Sequence, residues 1–96
     1  MSVLKHNTYF DGNVQSVGFE RHGRKITVGV IAPGEYHFDT GAAERMTVVS
    51  GEISARWPRG TGTWRDYPAG STFEIGANSS FDVKSTGSSA YVCEFL

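Results

Sequence analysis

The chain holds a single cysteine, Cys93, in 96 residues. An intramolecular disulfide is therefore excluded, and a lone thiol fits a reducing cytoplasm better than a stapled secreted scaffold. Long apolar runs are also missing, with nothing near the roughly 18 apolar residues of a membrane span. No membrane partner is expected. The opening MSVLKHNTYF has no apolar core and no small-residue cleavage site, so it does not read as a secretory signal. An excess of either charge is absent too: nine Lys and Arg against ten Asp and Glu leave a net charge of −1. That balance excludes a protein that holds nucleic acid by neutralising phosphates. Helical periodicity is lacking as well, since no stretch repeats apolar residues at i, i+3, i+4 and i+7.

What is present is strand and turn. Apolar residues make up 39% of the chain, enough for one core and no second, so residues 1–96 are expected to form a single domain. Twelve glycines punctuate short stretches rich in Val, Ile, Thr, Phe and Tyr. Val14–Glu20, Lys25–Ile31, Glu35–Asp39, Met46–Ser50, Ile53–Trp57, Ser71–Ile75, Ser80–Lys84 and Ala90–Phe95 read as strands. Turn signals such as His22-Gly23, Pro33-Gly34, Ser50-Gly51 and Ala69-Gly70 separate them. Strands recurring at roughly 8–12 residues imply an all-β sandwich or barrel. Thr40–Arg45 has room for one helical turn at most.

Alternation assigns faces. Thr27–Ile31 is apolar on both parities, and Ala90–Leu96 nearly so. In so small a protein a second apolar face is expected to meet another copy, giving a homodimer. The histidines, His6, His22 and His37, are scattered, with no pair at metal-ligand spacing. His37 and Asp39 share a strand face and Glu44 follows, so a metal triad stays open as an alternative. Arg56, Arg59 and Arg65 interleave with Trp57 and Trp64 around Gly60-Thr61-Gly62, which reads as a solvated hairpin rather than a nucleic-acid face. Cys93 lies mid-strand among aromatics, the setting of a buried apolar residue.

Two spacings resemble the cupin motifs: Glu44 and Gly51 with six residues between them, and Gly70 and Gly76 with five. The histidine positions of metal-binding cupins fall on Phe38 and Thr40, or with one more residue of spacing on His37 and Asp39, and that of the second motif on Phe81. The resemblance therefore implies a small cupin-like β-barrel, or jelly roll, without the usual metal set.

A closer resemblance is to the pyrimidine/purine nucleoside phosphorylase family. It is carried by Asn7-x-Tyr9-Phe10-x-Gly12, Gly34-Glu35-Tyr36-x-Phe38-x-Thr40, Glu44-x-Met46-x-Val48-x-Ser50-Gly51, Trp64-x-x-Tyr67-x-Ala69-Gly70-Ser71-x-Phe73 and Tyr91-x-Cys93, in order over nearly the whole chain. Departures are local: Gly76-Ala77 stands for a proline-glycine pair, and Asn78, Arg45 and Trp57 are not typical. The resemblance implies a cytoplasmic homodimer that splits purine and pyrimidine nucleosides with inorganic phosphate, giving free base and α-D-ribose 1-phosphate, with no cofactor. On that basis Glu44 is expected to stabilise the oxocarbenium-like ribosyl group, and Tyr91 to serve the departing base. Tyr36, Phe38, Thr40, Met46, Phe73 and Phe81 are the expected substrate-binding residues. No cation is marked for phosphate, and Arg45 should point away from Glu44. The alternatives are a metal-dependent small cupin enzyme built on His37, Asp39 and Glu44, and a non-catalytic cupin that binds a nucleoside or sugar.

Overall fold

Residues that tolerate a left-handed backbone set the first full hairpin. His22 and Gly23, at φ 52° and 76°, form the two-residue turn that returns β2 (Val14–Arg21) onto β3 (Arg24–Ile31). Its mirror-image geometry matches the twist of paired strands. The computed structural model describes residues 3–96. Among them the remaining strands are β1 (Lys5–Tyr9), β4 (Gly34–Asp39), β5 (Glu44–Ser50), β6 (Glu52–Arg56), β7 (Arg65–Pro68), β8 (Thr72–Ile75), β9 (Ser80–Ser85) and β10 (Ser89–Phe95).

The protein is all-β, as expected. A six-stranded sheet runs β1-β2-β3-β10-β5-β8 and a four-stranded sheet β4-β9-β6-β7, and each pairing is antiparallel. The chain changes sheet at Gly51, between β5 and β6, where φ is 79° and a Cβ would lie 2.5 Å from Ser89 Oγ. Only glycine fits that corner. Two strands depart from the sequence expectation. β1 (KHNTY) and β7 (RDYP), both sheet edges lying largely open to solvent, are absent from it; each turns one half-buried residue inward, Asn7 to the cavity and Tyr67 against the core. Residues 40–43 make bends rather than a helical turn.

The core lies between the sheets. Val14, Ile31, Val48, Ile53, Ile75 and Val83 are essentially fully buried, each adding roughly 1.5–3 kcal/mol of hydrophobic stabilisation. The parity of β2 and β3 is less obvious. Val14, Ser16 and Gly18 face inward on β2, and Thr27, Gly29 and Ile31 on β3, while Val17, Val28 and Val30 face out. Of these, Ser16, Thr27 and Ile31 line a cavity, while the space over Gly29 is filled by the Tyr91 ring.

Candidate active site

The cavity holds about 280 Å³. The exposed lining residues Lys25, Asp39 and Gly41 mark its mouth, and β3 and β10 run along the cavity side by side. Their register pairs Tyr91 with Gly29 and Cys93 with Thr27, and Lys25 and Phe95 stand at the open end. At about 3.4 Å per strand residue, Tyr91 and Phe95 lie roughly 13 Å apart along the cavity.

Three polar groups mark successive levels. Deepest is Tyr91, 7% exposed, whose ring lies directly over Gly29. A Cβ on Gly29 would overlap the ring and hydroxyl of Tyr91, so this glycine creates the seat of the tyrosine. Burial, with Cys93, Tyr9 and Glu44 nearby, pushes the Tyr91 hydroxyl well above the usual phenol range. It stays protonated and available as a donor. Glu44 begins β5 opposite Phe95, at the level of Lys25, and turns its carboxylate inward to the level of Cys93. Cys93 Sγ donates to Glu44 Oε1 at 3.3 Å. Burial raises the Glu44 carboxyl above its ordinary value, against the opposing pull of the Cys93 thiol and the Lys25 charge. Burial and Glu44 push the Cys93 thiol up in turn, so Cys93 is a hydrogen-bond donor here and not a thiolate nucleophile. At the mouth, Lys25 places its ammonium 4.8 Å from the Phe95 ring centroid.

Facing these groups across the cavity, Phe38 of β4 and Phe81 of β9 stack at 5.6 Å between centroids, with planes 25° apart. Phe10 packs edge-on against Phe38 at 5.5 Å.

Of the expected site residues, Glu44, Tyr91, Phe38, Met46 and Phe81 line this one cavity. Three do not. Tyr36 is buried beside it, and its hydroxyl donates to the carbonyls of Ala32 and Pro33 at 2.9 and 3.1 Å. Thr40 closes a loop, donating to Gly76 O at 2.7 Å and accepting from Ser79 N at 2.9 Å. Phe73 stacks on Trp57 and Tyr67, with centroids at 5.7 and 4.3 Å, away from the cavity. Lys25, Asn7, Ser16 and Thr27 line it without having been singled out as binding residues. The signal was available in the inward parity of β2 and β3, where polar and small residues replace the apolar ones a filled core would take.

The triad His37, Asp39, Glu44 does not assemble. His37 stands on the outer face of β4 and donates from Nδ1 to Asp82, away from the cavity lined by Asp39 and Glu44. The grouping of potential metal ligands among the described residues is instead Glu35, His37 and Asp82. There Asp82, with 0% exposure, also accepts from Arg56 Nε at 2.7 Å and Gly60 N at 2.9 Å. Burial opposes its ionisation, but the bonds from Arg56, His37 and Gly60 outweigh that and hold its carboxyl down to about 2. With a guanidinium already on that carboxylate, the cluster is a structural anchor for the 57–64 loop rather than a cation site. Of the interleaved cations of that loop, Arg59 and Arg65 are exposed. Arg56 and Lys84 lie 4.5 and 4.1 Å from the Trp64 ring centroid.

The sequence model of the pyrimidine/purine nucleoside phosphorylase family matches residues 4–95. A relative from Sorangium cellulosum, named a pyrimidine/purine nucleoside phosphorylase, is 62% identical over 94 residues, covering 98% of this chain and 100% of its own. One of the same name from Anaeromyxobacter is 59% identical, covering 99% and 90%. A Vibrio parahaemolyticus protein solved as one of unknown function superposes with a TM-score of 0.91 at 45% identity, covering 99% of this chain and 100% of that one. Hydroxypropylphosphonic acid epoxidase from S. wedmorenis shares the cupin-like fold, with a TM-score of 0.82 at 12% identity, over 97% of this chain and 55% of that one.

Proposed function

The chain belongs to the pyrimidine/purine nucleoside phosphorylase family, and from that premise we propose that it cleaves purine and pyrimidine nucleosides with inorganic phosphate in the cavity around Glu44. The observation that carries the reading is the order of groups along the cavity: a protonated hydroxyl, a carboxylate and an open mouth, facing a stacked aromatic pair. The volume is at the small end of the roughly 300–1,000 Å³ of metabolite pockets.

In this reading the base enters first and stacks near Phe38 and Phe81. Aromatic faces discriminate weakly between ring systems, which accounts for acceptance of both purines and pyrimidines. The ribose then lies at the level of Glu44. An oxygen of hydrogen phosphate forms the new bond to C1′ as the C1′–N bond breaks, and the bonding pair leaves on the base. The proton of hydrogen phosphate ends on the base, so charge and atoms balance, and the sugar product is α-D-ribose 1-phosphate. Inversion at C1′ requires base and phosphate on opposite sides of the ribose. Glu44 stabilises positive charge developing on the ribosyl ring, and the Tyr91 hydroxyl donates to the base as negative charge builds there. Met46 packs against the sugar. No cofactor takes part. A cytoplasmic setting fits the lone free thiol of Cys93.

The reading includes a homodimer formed through the outer face of β2, β3 and β10. Val17, Val28 and Val30 are 40%, 44% and 53% exposed, and the register sets Val17 beside Val28, Val28 beside Val92, and Val30 beside Ala90. A continuous apolar strip of this kind on a flat sheet suits a self-complementary contact.

Uridine, cytidine, adenosine, guanosine and inosine, each incubated with chelator-treated protein with and without phosphate, test the activity by chromatography of released base. Release from several nucleosides only with phosphate is expected. Saturable binding without turnover would replace the reading with a non-catalytic one.

A further inference from the structure

A phosphorylase must hold a dianion beside a carboxylate, and the cavity contains both signs of charge in a definite order. Asp39 and Glu44 are its acidic lining residues, and Lys25 is its cation. Arg45, the sequence neighbour of Glu44, is committed to Glu74 through a 3.1 Å bond. Arg56 is committed to Asp82 on the opposite sheet. Lys25 forms no ion pair or hydrogen bond among the described residues, and its ammonium lies over the Phe95 ring at 4.8 Å. An apolar platform on one side leaves the charge less hydrated and directs its remaining donors toward the opening.

We propose that Lys25 is the phosphate anchor of this site, holding the co-substrate at the mouth of the barrel on the side of Glu44 away from Tyr91. The inference rests on the phosphorylase reading and adds the location of its second substrate. Inversion at C1′ places phosphate opposite the base, and the strand register sets Lys25 and Glu44 on either side of Phe95, four residues along β10 from Tyr91, with the Glu44 carboxylate reaching back to Cys93. A lysine suits the task, since its ammonium is a compact charge on a flexible stem that follows a phosphate through displacement.

The test is a set of variants, Lys25→Met and Lys25→Arg, with Arg24→Met as the control on the outer face of the same strand. Initial rates are measured against phosphate at saturating nucleoside, then against nucleoside at saturating phosphate. Loss of one charged hydrogen-bond donor is expected to raise the phosphate KM roughly 10- to 100-fold in Lys25→Met. The nucleoside KM should stay unchanged, Lys25→Arg should restore most of the loss, and Arg24→Met should match the parent. An unchanged phosphate KM overturns the proposal. So does a fall in kcat alone accompanied by a shifted acid limb, which would make Lys25 a positioning residue for Glu44. Calorimetric titration of inorganic phosphate into the parent and Lys25→Met separates this inference from the reading beneath it. If the parent turns over no nucleoside, phosphorolysis fails. Phosphate heat seen in the parent and absent from Lys25→Met still supports the anchor, and equal or absent heat in both overturns it.

Discussion

Gly29 shows how one missing side chain positions another. Tyr91 is seated where a Cβ on Gly29 would fall, and the residue is at strand geometry, so an alanine there is conformationally allowed and sterically excluded. Gly29→Ala is expected to cost about 1–3 kcal/mol, in the range of overpacked cores, and to lower activity more than that loss of stability explains, because the displaced hydroxyl leaves the cavity. Denaturant unfolding and steady-state rates on the same preparation check both; full activity would remove Tyr91 from the mechanism. Glu44 makes a separate prediction. Its carboxyl is raised above 4.5, chiefly by burial, and catalysis needs the ionised form. The acid limb of kcat/KM is therefore expected above pH 4.5, with activity falling as protonation removes the negative charge. A flat profile through that region would contradict the role.

At the scale of elements, the outer face of the smaller sheet depends on Asp82. It joins β4 through His37, β6 through Arg56 and the 57–64 loop through Gly60. A depressed carboxyl supplies stability that is complete above its unfolded value of 3.8 and is lost as pH falls through about 2. Asp82→Asn is expected to cost about 1.5–3 kcal/mol at neutral pH, the worth of a charged hydrogen bond, and to flatten the acid side of the stability curve. An unchanged denaturation midpoint would show that the anchor is dispensable. The elements also explain what the sequence made visible. Strands with a buried face, such as β3 and β10, declare themselves by alternation and by β-branched residues. β1 and β7 each turn a single half-buried residue inward, too little for an alternating pattern, so KHNTY and RDYP look like loop. The cavity positions of Glu44, Phe38 and Phe81 follow their motif positions, whereas that of Lys25 depends on which parity of β3 faces inward. Tyr36, Thr40 and Phe73 belong to the same motifs yet hold the barrel together, since hydroxyls bonded to backbone carbonyls and a ring stacked on Trp57 are already engaged.

For the molecule as a whole, the inner and outer faces of one sheet divide the work. Inward-facing Ser16 and Thr27 line the cavity, and outward-facing Val17, Val28 and Val30 form the apolar strip proposed to meet a second copy. Val28→Glu is expected to give a folded monomer by light scattering, because a charge at the centre of the strip meets its own symmetry mate across a two-fold contact. A persistent dimer would move the interface elsewhere. The central claim is that Glu44 makes this cavity catalytic. Its most direct test is the kcat/KM for phosphate-dependent base release by Glu44→Gln beside the parent protein. The substitution conserves volume, so the fold should survive. A fall of roughly 10²-fold or more is predicted, the cost of losing an electrostatic contact to the transition state. An unaltered rate would mean that the reaction, if it occurs, is carried by other residues.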